Sequence, residues 1–159
     1  MARTGPKPAA PSRTRMATKT PATKAPAAEK PSLRVLDSSC WLEFFADTAR
    51  ADLYAEVLAQ PEHLVVPVVT VYKVAKKLAR EAGDEVAAAA LSLMQRGRVV
   101  PVDLPLALAA AVNGLPLADS MIYAAARLHG AELWTQDAHF DGLPGVQFFA
   151  NDQTGKPPA

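Results

Sequence analysis

Five short apolar runs, at residues 33–36, 64–66, 98–102, 131–135 and 146–149, set the strongest limit on what this chain can fold into. Runs of that length suit buried strands and are too short for helices. Most of the intervening sequence repeats its apolar residues at helical spacing, over 38–47, 49–60, 68–82, 85–96, 104–112 and 116–128. Strands that alternate with helices are joined by crossovers, so they pair in parallel. The expected fold class is therefore α/β, a three-layer arrangement of a parallel sheet flanked by helices. Pro61, Gly83-Asp84, Asn113-Gly114 and His129-Gly130 punctuate the helices, and Pro101 puts the third strand at an edge or at its own end. Residues 136–145 read as a loop.

The segment 1–31 departs from this pattern. It is built from Ala, Pro, Thr, Lys and Arg, has no aromatic residue, and is expected to be a disordered basic tail. Seven Lys/Arg face the single acid Glu29 over residues 1–30, whereas residues 31–159 hold ten Lys/Arg against fifteen Asp/Glu. The foldable part is thus one acidic domain, expected over 32–150, followed by a flexible end at 151–159. No stretch approaches about 18 uninterrupted apolar residues, so neither secretion nor membrane insertion is expected. The one cysteine, Cys40, reads as a buried thiol in a reducing, cytoplasmic setting.

The chemistry is concentrated in carboxylates. Asp37 ends the first apolar run, Asp119 opens the helix of Leu117-Ala118-Asp119-Ser120, and Asp137 and Asp141 follow the fourth run. Singly, each has an ordinary structural explanation as a helix cap, a first-turn acid or a loop turn. Together, three acids at one edge of a parallel sheet would repel one another unless a cation joined them. Hard oxygen ligands without a Cys/His cluster favour Mg²⁺ or Mn²⁺.

Four segments in this order, Val35-Leu36-Asp37-Ser38-Ser39, Val66-Pro67-Val68-Val69-Thr70-Val71-Tyr72, Leu115-Pro116-Leu117-Ala118-Asp119-Ser120 and Thr135-Gln136-Asp137-Ala138-His139-Phe140, resemble a PIN-domain ribonuclease of the VapC toxin type. The resemblance spans about residues 33–149. It implies a metal-dependent endoribonuclease in which Asp37, Asp119 and Asp137 gather Mg²⁺ (or Mn²⁺) and are catalytic. Ser39 and Thr135 resemble hydroxyls that orient those acids, and Asp141 a further acid near the site. His139 reads either as a substrate contact or as an ordinary surface histidine. The resemblance also implies a VapB-like antitoxin, an RNA substrate such as tRNA or rRNA, and a homodimer.

Two departures qualify the resemblance. Lys73 stands where the family places a glutamate, which removes one ligand, adds a like charge beside the cation and weakens or silences the nuclease. A catalytically inactive module that binds antitoxin or RNA is the alternative. Lys73 also falls in line with Lys76, Lys77 and Arg80, as a solvated or phosphate-contacting stripe. Glu43 is the one nearby acid considered as compensation. The segment between Asp103 and Leu115 is shorter than in the family, which bears on the helix presenting Asp119. Phosphotransfer folds fit less well, because Ser39 occupies the position of the second aspartate a haloacid-dehalogenase-type phosphatase needs. For Trp41, Phe44 and Phe45, core packing is expected of at least two.

Overall fold

A computed structural model describes residues 32–150; the tails expected at 1–31 and 151–159 lie outside the described residues. The chain runs β1 (Arg34–Leu36), α1 (Ser38–Phe45), α2 (Ala51–Leu58), β2 (Val65–Pro67), α3 (Val68–Ala82), α4 (Asp84–Met94), β3 (Arg98–Val100), α5 (Leu104–Ala111), α6 (Leu117–Leu128), β4 (Glu132–Thr135) and β5 (Val146–Phe148). Short 3₁₀ turns at Pro61–His63 and Ala138–Phe140 complete it. Pairing is parallel for β1 with β4, β4 with β5 and β2 with β3. An isolated parallel bridge between Arg34 and Leu64 joins the two groups, giving the order β3-β2-β1-β4-β5. The order reverses between β1 and β4, and open α/β sheets bind ligands at that switch, beyond the carboxyl ends of the strands.

Strand alternation divides the core into two layers. Val35, Val65 and Leu133 pack with Leu106, Ala110, Ile122 and Phe140 on the α5–α6 side. Leu36, Leu64 and Val66 pack with Trp41, Tyr54, Val74, Leu78 and Met94 under α1 to α4. Period-two strands and helical stripes therefore bury both faces of the sheet. Gly97, between α4 and β3, is held at close range: a Cβ there would sit 2.9 Å from Val66 Cγ2 and 3.0 Å from Leu64 O.

Trp41 is fully buried, while Phe44 and Phe45 are half-buried against the same layer. Truncating Trp41 to alanine would cost about 3–5 kcal/mol by the usual cavity penalty. Helix α1 stops two residues earlier than the pattern suggests because Ala46 N–H caps back onto Leu42 O and Asp47 takes a left-handed φ of 52°. The buried stripe of α3 is Thr70, Val74 and Leu78, so Tyr72 and Val68 are exposed and not core. The helical repeat is as expected, but its phase is turned by about one residue, since Thr70 replaces an apolar residue at the first inward position.

Cys40 is buried, donates its thiol to Trp134 O at 3.3 Å, and is pushed up to about 12, mainly by burial. A thiol held that far from ionisation is unreactive. Titration with a thiol-reactive chromophore is expected to give no reaction in the native protein and one equivalent after denaturation.

Candidate metal centre

Asp37 follows β1 directly, with its N–H bonded to Trp134 O of β4 at 2.9 Å. Its Oδ1 accepts from Ser38 N–H at 2.8 Å, so it does cap α1. Its Oδ2 serves differently, accepting Ser39 Oγ at 3.1 Å and Thr135 Oγ1 at 2.9 Å across the switch point. Burial raises the Asp37 pKa, and the Lys73 charge with the Thr135, Ser38 and Ser39 hydrogen bonds pulls it partly back. Its hydrogen bonds orient this carboxyl against the cost of burying its charge.

Thr135 ends β4 and is fully buried. Its hydroxyl donates to Asp37 and accepts from Asp137 N–H at 3.0 Å, so one oxygen fixes the positions of two acids. Ser39 Oγ likewise accepts Gln136 N–H at 3.2 Å while donating to Asp37. Beneath it, Gln136 Nε2 donates to the buried Tyr54 hydroxyl at 2.7 Å. Asp137 caps the 3₁₀ turn through His139 N–H at 2.9 Å. That turn swings the His139 ring back, with Nδ1 3.2 Å from Asp137 Oδ1 and 3.1 Å from Asp119 Oδ2. Nδ1 thus faces both carboxylates.

Asp119 is the third residue of α6, nearly buried in its first turn, where the helix dipole favours an anion. Across from it, Lys73 of α3 places Nζ 3.4 Å from Asp119 Oδ1. Lys73 therefore leaves the basic stripe. Lys77 and Arg80 pair with Glu81 at 3.2 Å each, and Lys76 lies on Tyr72, while Lys73 turns inward.

One ligand atom from each of Asp119, Asp137 and His139 lies within 4.8 Å of the others. Metal–oxygen bonds of about 2.1 Å span up to about 4.2 Å between ligands. Small side-chain adjustments would close this set on a divalent cation, so the donors fit one. Two carboxylates with an imidazole suit Mn²⁺ better than Mg²⁺. Asp37 stands outside that group of three and is coupled to it through Thr135 and Lys73.

Asp141 ends the 3₁₀ turn exposed, and the cluster leaves it out. Glu43 is hydrogen-bonded by the Thr48 hydroxyl at the end of α1 and does not join the cluster either. His139 is the residue the spacing undervalued. An Asp-x-His step is an ordinary loop sequence, and only the turn makes it convergent. The eight-residue α5 still leaves Asp119 within reach of Lys73 and His139.

Comparison with known proteins follows the same lines. A profile of the PIN domain matches residues 34–146. No curated protein sequence matches significantly. Among solved structures, a toxin–antitoxin complex from Klebsiella pneumoniae superposes with a TM-score of 0.61 at 24% identity, covering 72% of this chain and 95% of that one. DNA-bound VapBC from Salmonella typhimurium gives 0.58 at 17%, covering 75% and 98%. The Sarcin-Ricin loop cleaving toxin VapC20 of Mycobacterium tuberculosis gives 0.53 at 18%, covering 74% and 90%. With its parallel sheet, its acids at the switch point and a profile match over most of its length, the chain belongs to the PIN domain family, and its fold is that of the VapBC toxins.

Proposed function

We propose that this chain is a metal-dependent endoribonuclease toxin, hydrolysing RNA phosphodiester bonds and weakened by Lys73. The observation that carries the reading is the convergence of Asp119, Asp137 and His139 beside the buried, hydrogen-bonded Asp37. Asp37, Asp119 and Asp137 would hold the Mg²⁺ or Mn²⁺ ion, with His139 as a fourth donor. When bound, such an ion polarises a phosphoryl oxygen and lowers the pKa of water for in-line attack. Ser39 and Thr135 keep Asp37 oriented, and Thr135 spaces it from Asp137. His139, exposed at the rim, is placed to meet a phosphate backbone.

The test is cleavage of a tRNA and total-RNA panel in Mn²⁺ or Mg²⁺ against EDTA, with Asp119→Asn as control. Cuts that need metal and vanish with Asp119→Asn are expected. Silence from well-folded protein under all conditions favours the second reading, a module that binds RNA or antitoxin without cutting, for which the Lys73–Asp119 pair is the supporting observation.

A VapB-like antitoxin is the proposed partner, supported by the toxin–antitoxin complexes among the structural neighbours. A cavity of about 550 Å³ between α1, α3 and α4 opens beside Ser39 and Gln136 and suits a peptide from it. A homodimer is proposed through the outer face of α5. Leu104, Leu108 and Val112, four apart, are 71%, 62% and 85% exposed, and no charged residue occurs between Asp103 and Asp119. An uncharged face can meet its own copy across a twofold axis without like-charge repulsion. Leu108→Glu is expected to weaken self-association about tenfold or more, read by light scattering on a sizing column. Action in the cytoplasm is proposed with the RNA substrate; among the described residues no helix is long and apolar enough to cross a membrane.

A further inference from the structure

We infer that Lys73 is a built-in counter-ion: its ammonium, paired with Asp119, compensates the acids of the cluster in place of a divalent cation, so that the chain folds without metal and binds it only by displacing Lys73. The inference rests on the cation-site reading above and concerns what occupies that site before any metal does. Two observations support it. Lys73 Nζ lies 3.4 Å from Asp119 Oδ1, and its side chain is only 30% exposed. It is also the one member of the α3 cation stripe turned away from Glu81 and Tyr72, towards the acids.

Exchanging a carboxylate for an ammonium at residue 73 changes the local charge by two units, the charge of one divalent ion. The cluster as it stands, without metal, therefore carries the net charge that the Lys73→Glu cluster would have with metal bound. An incoming cation meets a half-buried positive charge at the position where a ligand would help it, and at short range in a partly desolvated site that repulsion is strong. Lys73 has a four-carbon stem, so it can swing to solvent once displaced.

Thermal unfolding of the full chain, Lys73→Met and Lys73→Glu, each in EDTA and in Mn²⁺, tests this without reference to activity. Mn²⁺ binding followed by electron paramagnetic resonance accompanies it. The present chain should show the same Tm in EDTA and Mn²⁺. Lys73→Met, which keeps length and loses charge, should fall by roughly 5 °C in EDTA and recover in Mn²⁺. Lys73→Glu should bind Mn²⁺ at least about tenfold tighter than the present chain; a variant that folds only with Mn²⁺ present would support the inference equally. Lys73→Met as stable as the parent in EDTA, or equal Mn²⁺ affinity in all three proteins, would overturn it. If Lys73→Met is destabilised but no variant binds Mn²⁺, the cation-site reading itself fails, and Lys73 is then an ordinary ion pair.

Discussion

Lys73→Glu is expected to raise metal-dependent RNA cleavage by at least about a hundredfold over the chain as it stands. Two unit charges 4 Å apart interact by about 4 kcal/mol at an effective dielectric of 20. The substitution removes one such repulsion on an incoming cation and adds an attraction. Partial exposure of Lys73 calls for a heavy discount. Even a remainder of about 3 kcal/mol in transition-state stabilisation corresponds to roughly two decades in rate. The measurement is the initial cleavage rate at fixed Mn²⁺ for the two proteins, with EDTA as the blank. A variant no faster than its parent would mean that Lys73 is not what limits the chemistry.

The second large effect is expected from Asp37→Asn, which should abolish cleavage and yet make the apoprotein more stable at neutral pH. Burial is the first cause of the raised Asp37 pKa, and the opposing influences of Lys73 and the Thr135, Ser38 and Ser39 contacts do not cancel it. A carboxyl whose folded pKa lies above its unfolded value takes up a proton on folding. Its contribution to stability is therefore fully present below the unfolded value, near 4, and is lost as the pH rises through the folded one. An amide of the same shape has no charge to bury and keeps partners for the surrounding hydroxyls. The Tm of Asp37→Asn should exceed that of the parent by about 3 °C at pH 7, and the difference should close as the pH falls towards 4. A destabilised variant at pH 7 would show that the ionised carboxylate is held more favourably than its burial implies.

The order and type of elements were legible because strand runs and helical stripes differ in period, and each pattern here is clean. Element ends moved by at most two residues for local reasons, such as the left-handed Asp47 that stops α1. The phase of α3 was not legible, since Thr70 points inward where an apolar residue is the natural guess. At the candidate site, the placement of Asp37, Asp119 and Asp137 followed from their positions at element ends. The hydroxyls of Ser39 and Thr135 do lie on Asp37. His139 was not legible, because its approach to Asp119 depends on a 3₁₀ turn that carries no marked sequence signal. Lys73 was legible as an ammonium beside the acids from its place directly after Tyr72, and the packing of α3 against α6 brings it to Asp119. Asp141 is exposed and stands outside the group formed by Asp119, Asp137 and His139.

The acids at the switch point are expected to gather a divalent cation. The most direct test is an anomalous-scattering map from crystals of the Lys73→Glu variant grown with Mn²⁺. One strong manganese peak is expected in contact with Asp119 and Asp137, with the Asp37 carboxylate facing it. A variant that cuts RNA in Mn²⁺ but shows no ion there, or shows its ion elsewhere, would mean that these acids are not the cation site.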